Sequence, residues 1–217
     1  MGAIARNIAN NITTSGVFTS SAIANSSVTG ITVLANASDG ITLISSQTAS
    51  NSASLSFTTG IDSTYKAYKF VFSNCHPRTD NTAFQFNLST DAGSNYNVTK
   101  TSTFFNANHA ESDAGGSINY ITNSDLAQST GFQLLNQDGD LSSDADHSLT
   151  GTLTLFNPSS TTYVKHFIAV TNSNHPADYT INNFIAGYGN TTSAVNAVQF
   201  KMASGNFDGT IYLYGIK

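Results

Sequence analysis

Charge is what this sequence holds least of. Asp, Glu, Lys and Arg make up 10% of 217 residues, against roughly 25% in an average soluble domain. The 8 Lys+Arg are scattered and outnumbered by 13 Asp+Glu. No basic patch exists, which argues against nucleic acid as a partner and against an anionic membrane surface. Cysteine occurs once, as Cys75, so no intrachain disulfide can form and folding needs no oxidising compartment. With no evident partner at a strand end, that thiol reads as a small buried group rather than a nucleophile. No apolar run approaches the roughly 18 residues that would span a bilayer, so membrane insertion is not expected. Asn7, Asn10, Asn11 and Thr13 interrupt the start. The expectation is therefore synthesis in a cytoplasm without a signal peptide.

Ser, Thr and Asn fill the place of charge, and aromatics reach 11%, ample for a core. The organising stretch is Tyr65 to Asn74. Tyr68, Phe70 and Phe72 point one way and Lys69, Val71 and Ser73 the other, the period of a strand with an aromatic buried face. It is expected to end in a turn at Asn74-Cys75-His76-Pro77, where Pro77 cannot donate to a ladder. Similar alternation runs through Leu55–Phe57, Phe84–Leu88, Tyr96–Val98, Phe132–Leu135, Leu149–Phe156, Tyr163–Thr171, Val198–Met202 and Thr210–Ile216. Asn106 to Gly116 reads as polar loop, and Gly187-Tyr188-Gly189 as a corner. The last strand, with Ile211 and Leu213 on one side and Tyr212 and Tyr214 on the other, is expected inside a sheet with both faces covered.

Frequent strands with turn signals and almost no helical period predict an all-β fold: an antiparallel, jelly-roll-like β-sandwich. Residues 1–50 differ, with Phe18 as their one aromatic and no proline. They predict an extended N-terminal attachment or assembly arm, and residues 51–217 the sandwich body. Ala3, Ile4, Ile8 and Ile12 have helical spacing within the arm.

Chemistry is thinly represented. His76, His109, His147, His166 and His175 show no metal-ligand spacing. The loop Asp138 to His147 offers four aspartates to a cation, but lacks the EF-hand pattern and reads as a solvated hairpin loop. No Gly-x-Ser-x-Gly elbow is present, and no two carboxylates can be paired for glycoside hydrolysis. No catalytic, cofactor-binding or metal-binding residue is assigned, no cofactor is expected, and an enzyme is not expected. Tyr96, Tyr120, Tyr163, Tyr179 and Tyr188 fall near expected strand ends, where they could stack on sugars. The absence of tryptophan favours packing roles instead.

The C-terminal run Met202-Ala-Ser-Gly-Asn-Phe-Asp-Gly-Thr-Ile-Tyr-Leu-Tyr-Gly-Ile-Lys217 resembles the closing segment of small β-rich virion proteins of tailed bacteriophages, those of aquatic bacteria in particular. Tyr65 to Phe72, followed by Phe86-Asn-Leu-Ser-Thr-Asp-Ala-Gly-Ser-Asn-Tyr96, is similar to the same group. The likeness covers about a third of the chain and its motifs are structural. It implies a structural virion component: a capsid decoration protein or head fibre, or a tail fibre or adaptor. Such a protein would sit in the virion, contact other virion proteins through residues 1–50, and form a homo-oligomer such as a trimer. The alternative is a carbohydrate-binding module contacting a host surface glycan.

Overall fold

A computed structural model describes residues 40–217. Of the arm expected over residues 1–50, residues 1–39, with the helical spacing of Ala3, Ile4, Ile8 and Ile12, lie outside the described residues. The described residues form twelve strands: β1 (Ile41–Ser52), β2 (Leu55–Phe57), β3 (Ala67–Pro77), β4 (Phe84–Ser89), β5 (Lys100–Ala110), β6 (Gly116–Tyr120), β7 (Gln133–Leu134), β8 (Leu149–Phe156), β9 (Lys165–His175), β10 (Tyr179–Gly189), β11 (Ala197–Met202) and β12 (Phe207–Ile216). They build two antiparallel sheets, ordered β1-β12-β3-β8-β9-β10-β5-β6 and β2-β11-β4-β7.

Eight of these strands are the frame. β1 pairs with β12, β2 with β11, β3 with β8 and β4 with β7. The pairs are nested, like one long hairpin rolled up so that successive strands alternate between sheets. That strand order makes the sandwich jelly-roll-like. The other four strands are insertions. β5 and β6 interrupt the passage from β4 to β7, and β9 and β10 that from β8 to β11. Together they extend the larger sheet beyond β8 as a wing that the four-stranded sheet has no strands to match.

The core lies between the two halves of the frame. Tyr68, Phe70 and Phe72 of β3 are at most 1% exposed, as their alternation predicts. Phe72 meets Phe84 of β4, and Phe70 and Phe72 both meet Phe200 of β11. Phe200 sits at the centre, with the rings of Phe57, Phe70, Phe72, Phe84 and Phe86 all 5.0 to 6.3 Å away. Most of these contacts are edge-on, the arrangement that ring quadrupoles favour.

Several expectations need correction. The boundary at residue 50 falls inside β1, because residues 41–50 pair with β12; the sandwich therefore begins by Ile41. The turn expected at Asn74 is a bulge. Asn74 adopts φ 51°, and β3 shifts register against both β8 and β12 there while continuing to Pro77. Residues 106–110 are not loop but the second half of β5. Gly187 to Gly189 is not a corner but the end of β10. The final strand is interior to its sheet, between β1 and β3, but only one face is covered. Ile211 and Leu213 are buried and Tyr212 and Tyr214 half-buried.

Gly215, within the Leu-Tyr-Gly ending, has a packing reason. The Tyr65 ring lies on it, and a Cβ there would stand 2.4 Å from ring carbons. Only a glycine lets the aromatic come that close.

Candidate functional site: a polar cleft at the end of the wing

The wing's inner face buries Phe104, Phe167, Ala169 and Ile185 together with several polar side chains, and a strap of chain running from residue 121 to residue 142 through β7 meets the polar ones. Buried Ser102 donates to Gln133, the Thr171 hydroxyl donates to the Leu135 carbonyl, and the Asn106 amide donates to Gln137 Oε1 at 2.9 Å. Buried side chains with hydrogen-bonding groups need such partners. Further on, the Ser142 N–H donates to the Asn174 carbonyl and pins the acidic loop to β9.

Where strap and strand ends diverge, a cleft of about 560 Å³ opens. β5 supplies Asn108, β6 Asn119 and Tyr120, and the strap Ile121, Gln137 and Asp140. His175 of β9 and Tyr179 and Ile181 of β10 complete the wall. The β9–β10 hairpin places Tyr179 opposite His175, their rings edge-on at 5.7 Å. The Ala177 N–H donates to His175 Nδ1 at 2.9 Å. In the neutral ring the proton therefore sits on Nε2, which faces Asp140 Oδ1 at 3.6 Å. Burial raises the Asp140 carboxyl above the usual carboxylate range; His175 pulls it down and Asp138 pushes it up. At the rim, the exposed Tyr120 hydroxyl donates to Asp125 at 2.6 Å, which fixes the ring's position.

Comparison with protein-family models, curated proteins and solved structures found no match. The cleft offers amide donors and acceptors, one acid–histidine pair and two tyrosine rings. Asp140 is the one carboxylate among the described residues of its lining. Amides and tyrosine rings of this kind can hydrogen-bond to and stack on a polyhydroxylated molecule.

The structure thus brings together Tyr120 and Tyr179, Asp140 of the acidic loop, and His175. It leaves the other residues singled out in the sequence apart from them. Tyr96 lies on Gly93, Tyr163 is exposed on a loop, and Tyr188 faces outward beside His166. Within the acidic loop, Asp144 faces His147 at 3.7 Å. Among the described residues no three His, Cys, Asp or Glu side chains converge as a metal site. His76 bonds to the His147 carbonyl at 2.7 Å and His109 faces Asp113. Cys75 is fully buried, and burial pushes its thiol up to about 12, which keeps it protonated and unreactive. The amides Asn108, Asn119 and Gln137 were not singled out by sequence reasoning. Asparagine is too common in this chain to mark a site, and the signal is visible only once β5, β6 and the strap are placed together.

Proposed function

We propose that this chain is a structural virion component of a tailed bacteriophage, a capsid decoration, head-fibre, tail-fibre or adaptor protein that works as a homo-oligomer. The observation that carries this reading is the nested strand order of the sandwich, an architecture common to capsid and lectin domains. The phage-like Tyr65–Phe72 and Met202–Lys217 segments add to it: they supply the central aromatic strand and the strand that closes the sheet. Attachment to other virion proteins is assigned to the residues before β1. In this reading the protein acts by geometry, through shape and apolar contact rather than charge. Particles purified from a lysate containing the protein should retain it through density banding at a fixed copy number, read by mass spectrometry. Recovery only in the soluble fraction would end the reading.

One observation favours a second role, contact with a host surface glycan. Tyr120 and Tyr179 share a cleft with three amides and Asp140. Tyr179→Ala is expected to weaken binding of a recognised neutral oligosaccharide about tenfold, equivalent to about 1.4 kcal/mol. Titration calorimetry with the wild-type protein and the variant reads this. Equal affinities would remove the cleft from consideration.

A further inference from the structure

The outward side of the wing carries an apolar patch. Successive residues of a strand face opposite ways, so Phe105 of β5, Phe184 of β10 and Ile168 and Val170 of β9 point away from the strap. Phe105, Ile168 and Val170 are 42%, 51% and 38% exposed. Phe105 and Phe184 are paired across the strands and stack face to face at 4.9 Å and 9°. They form a ridge. One row along, Ala186 is too small to fill its place, and a hollow of about 450 Å³ opens over it, walled by Thr103, Ile168, His166 and Tyr188.

We propose that this face is where a second copy of the chain docks, pairing wing to wing about a two-fold axis. Three observations select that occupant. The outward residues of β5, β8, β9 and β10 include no Asp, Glu, Lys or Arg. A face without charge meets its own copy with no like-charge repulsion, whereas it offers nothing to match a charged partner. A ridge and a hollow lie side by side on one patch, so two copies related by a two-fold axis can each set the ridge in the other's hollow. The size also fits. The four strands, three of eleven residues and one of eight, at about 4.8 Å spacing and about 3.3 Å per residue give roughly 650 Å² per copy. Two such faces total about 1,300 Å², within the roughly 1,200–2,000 Å² of a stable interface. Aromatics at the centre of an interface carry much of its energy, and here they are the Phe105–Phe184 stack.

The docking surface deepens the assembly reading above without depending on particle attachment. Oligomeric mass tests the face and particle content tests the virion role, so either can fail alone. The test is the mass of the full chain by light scattering and sedimentation. Wild type is expected at twice the 22.8 kDa of one chain, or an even multiple. Ile168→Glu places a carboxylate on each side of the contact, and is expected to raise the dissociation constant at least 100-fold. Ala186→Glu, on the adjoining strand, should do the same and stands in if Ile168→Glu alters the circular dichroism of the fold. Tyr163→Glu, an equal charge change on an exposed loop residue, should leave the mass unchanged. A wild type of single-chain mass, a trimer, an oligomer that survives both wing substitutions, or one equally lost with Tyr163→Glu would each overturn the proposal.

Discussion

Phe200→Ala is expected to cost about 3–5 kcal/mol of folding stability, the range for removing a large buried ring. Phe200 is fully buried and touches five other aromatic rings drawn from both sheets. Those neighbours belong to β2, β3 and β4, each held by its own ladder, so they cannot all move in to fill the void. A domain is commonly stable by about 5–15 kcal/mol, which makes this loss a large share of the total. Urea unfolding of wild type and variant reads it as a lower midpoint at similar slope. Tyr163→Ala, on an exposed loop, is the comparison and should change stability by about 0.5 kcal/mol or less. A loss under about 1 kcal/mol at Phe200 would mean that the sheets close over the gap and that the core has no fixed centre.

Stability should rise from pH 7 to pH 9, and Lys100→Met should remove most of that rise. Lys100 is fully buried, and burial lowers its amine from 10.5 to about 7. Its Nζ donates to Asn87 Oδ1 at 2.5 Å and to the Val98 carbonyl at 2.8 Å. Two acceptors satisfy the two hydrogens of a neutral amine; an ammonium would leave one unmatched. Lys165, by contrast, meets three carbonyls, those of Ser160, Tyr163 and Thr191, one for each ammonium hydrogen. Between pH 7 and 10.5 the unfolded chain holds the Lys100 proton and the folded chain does not. Stability therefore increases with pH through that window and is lost as pH falls through the folded value. Burial lowers Lys165 in the same direction. Cys75 acts oppositely above pH 9, since its thiol ionises at 9.0 when exposed but only near 12 when folded. The interval from 7 to 9 thus isolates the lysines. At a maximum of about 1.4 kcal/mol per pH unit, the gain is about 2 kcal/mol, measured by urea unfolding at the two pH values. A flat wild-type profile would refute a neutral buried amine.

Much of the frame was legible because strands such as β3 and β12 bury one face and leave the other half-exposed. Tyr68, Phe70 and Phe72 needed only their period of two. The wing was harder to read. Residues 106–110 are Asn-Ala-Asn-His-Ala, without the apolar alternation of a strand, because one side of β5 answers to a polar strap and the other to solvent. Ile168 and Val170 look like core in the sequence, yet Phe167 and Ala169 are the buried pair. A strand with apolar residues on both faces does not say which side the rest of the chain covers. The cleft could not be read at all, because its walls come from positions between Asn108 and Ile181 that only the inserted strands bring together. Asn74 shows a subtler limit. A residue suited to positive φ signals a turn, and a bulge uses the same conformation without ending the strand.

The placement of β12 also sets an order of events during synthesis. Its neighbours β1 and β3 are made long before it, and neither can pair with it until residues 207–216 have been translated. Throughout that interval the growing chain carries a strand-wide gap, edged by unpaired backbone and backed by Phe70 and Phe72. Pairings that span so many residues are slow to find, so the sandwich closes as a late, concerted step rather than growing strand by strand behind the ribosome.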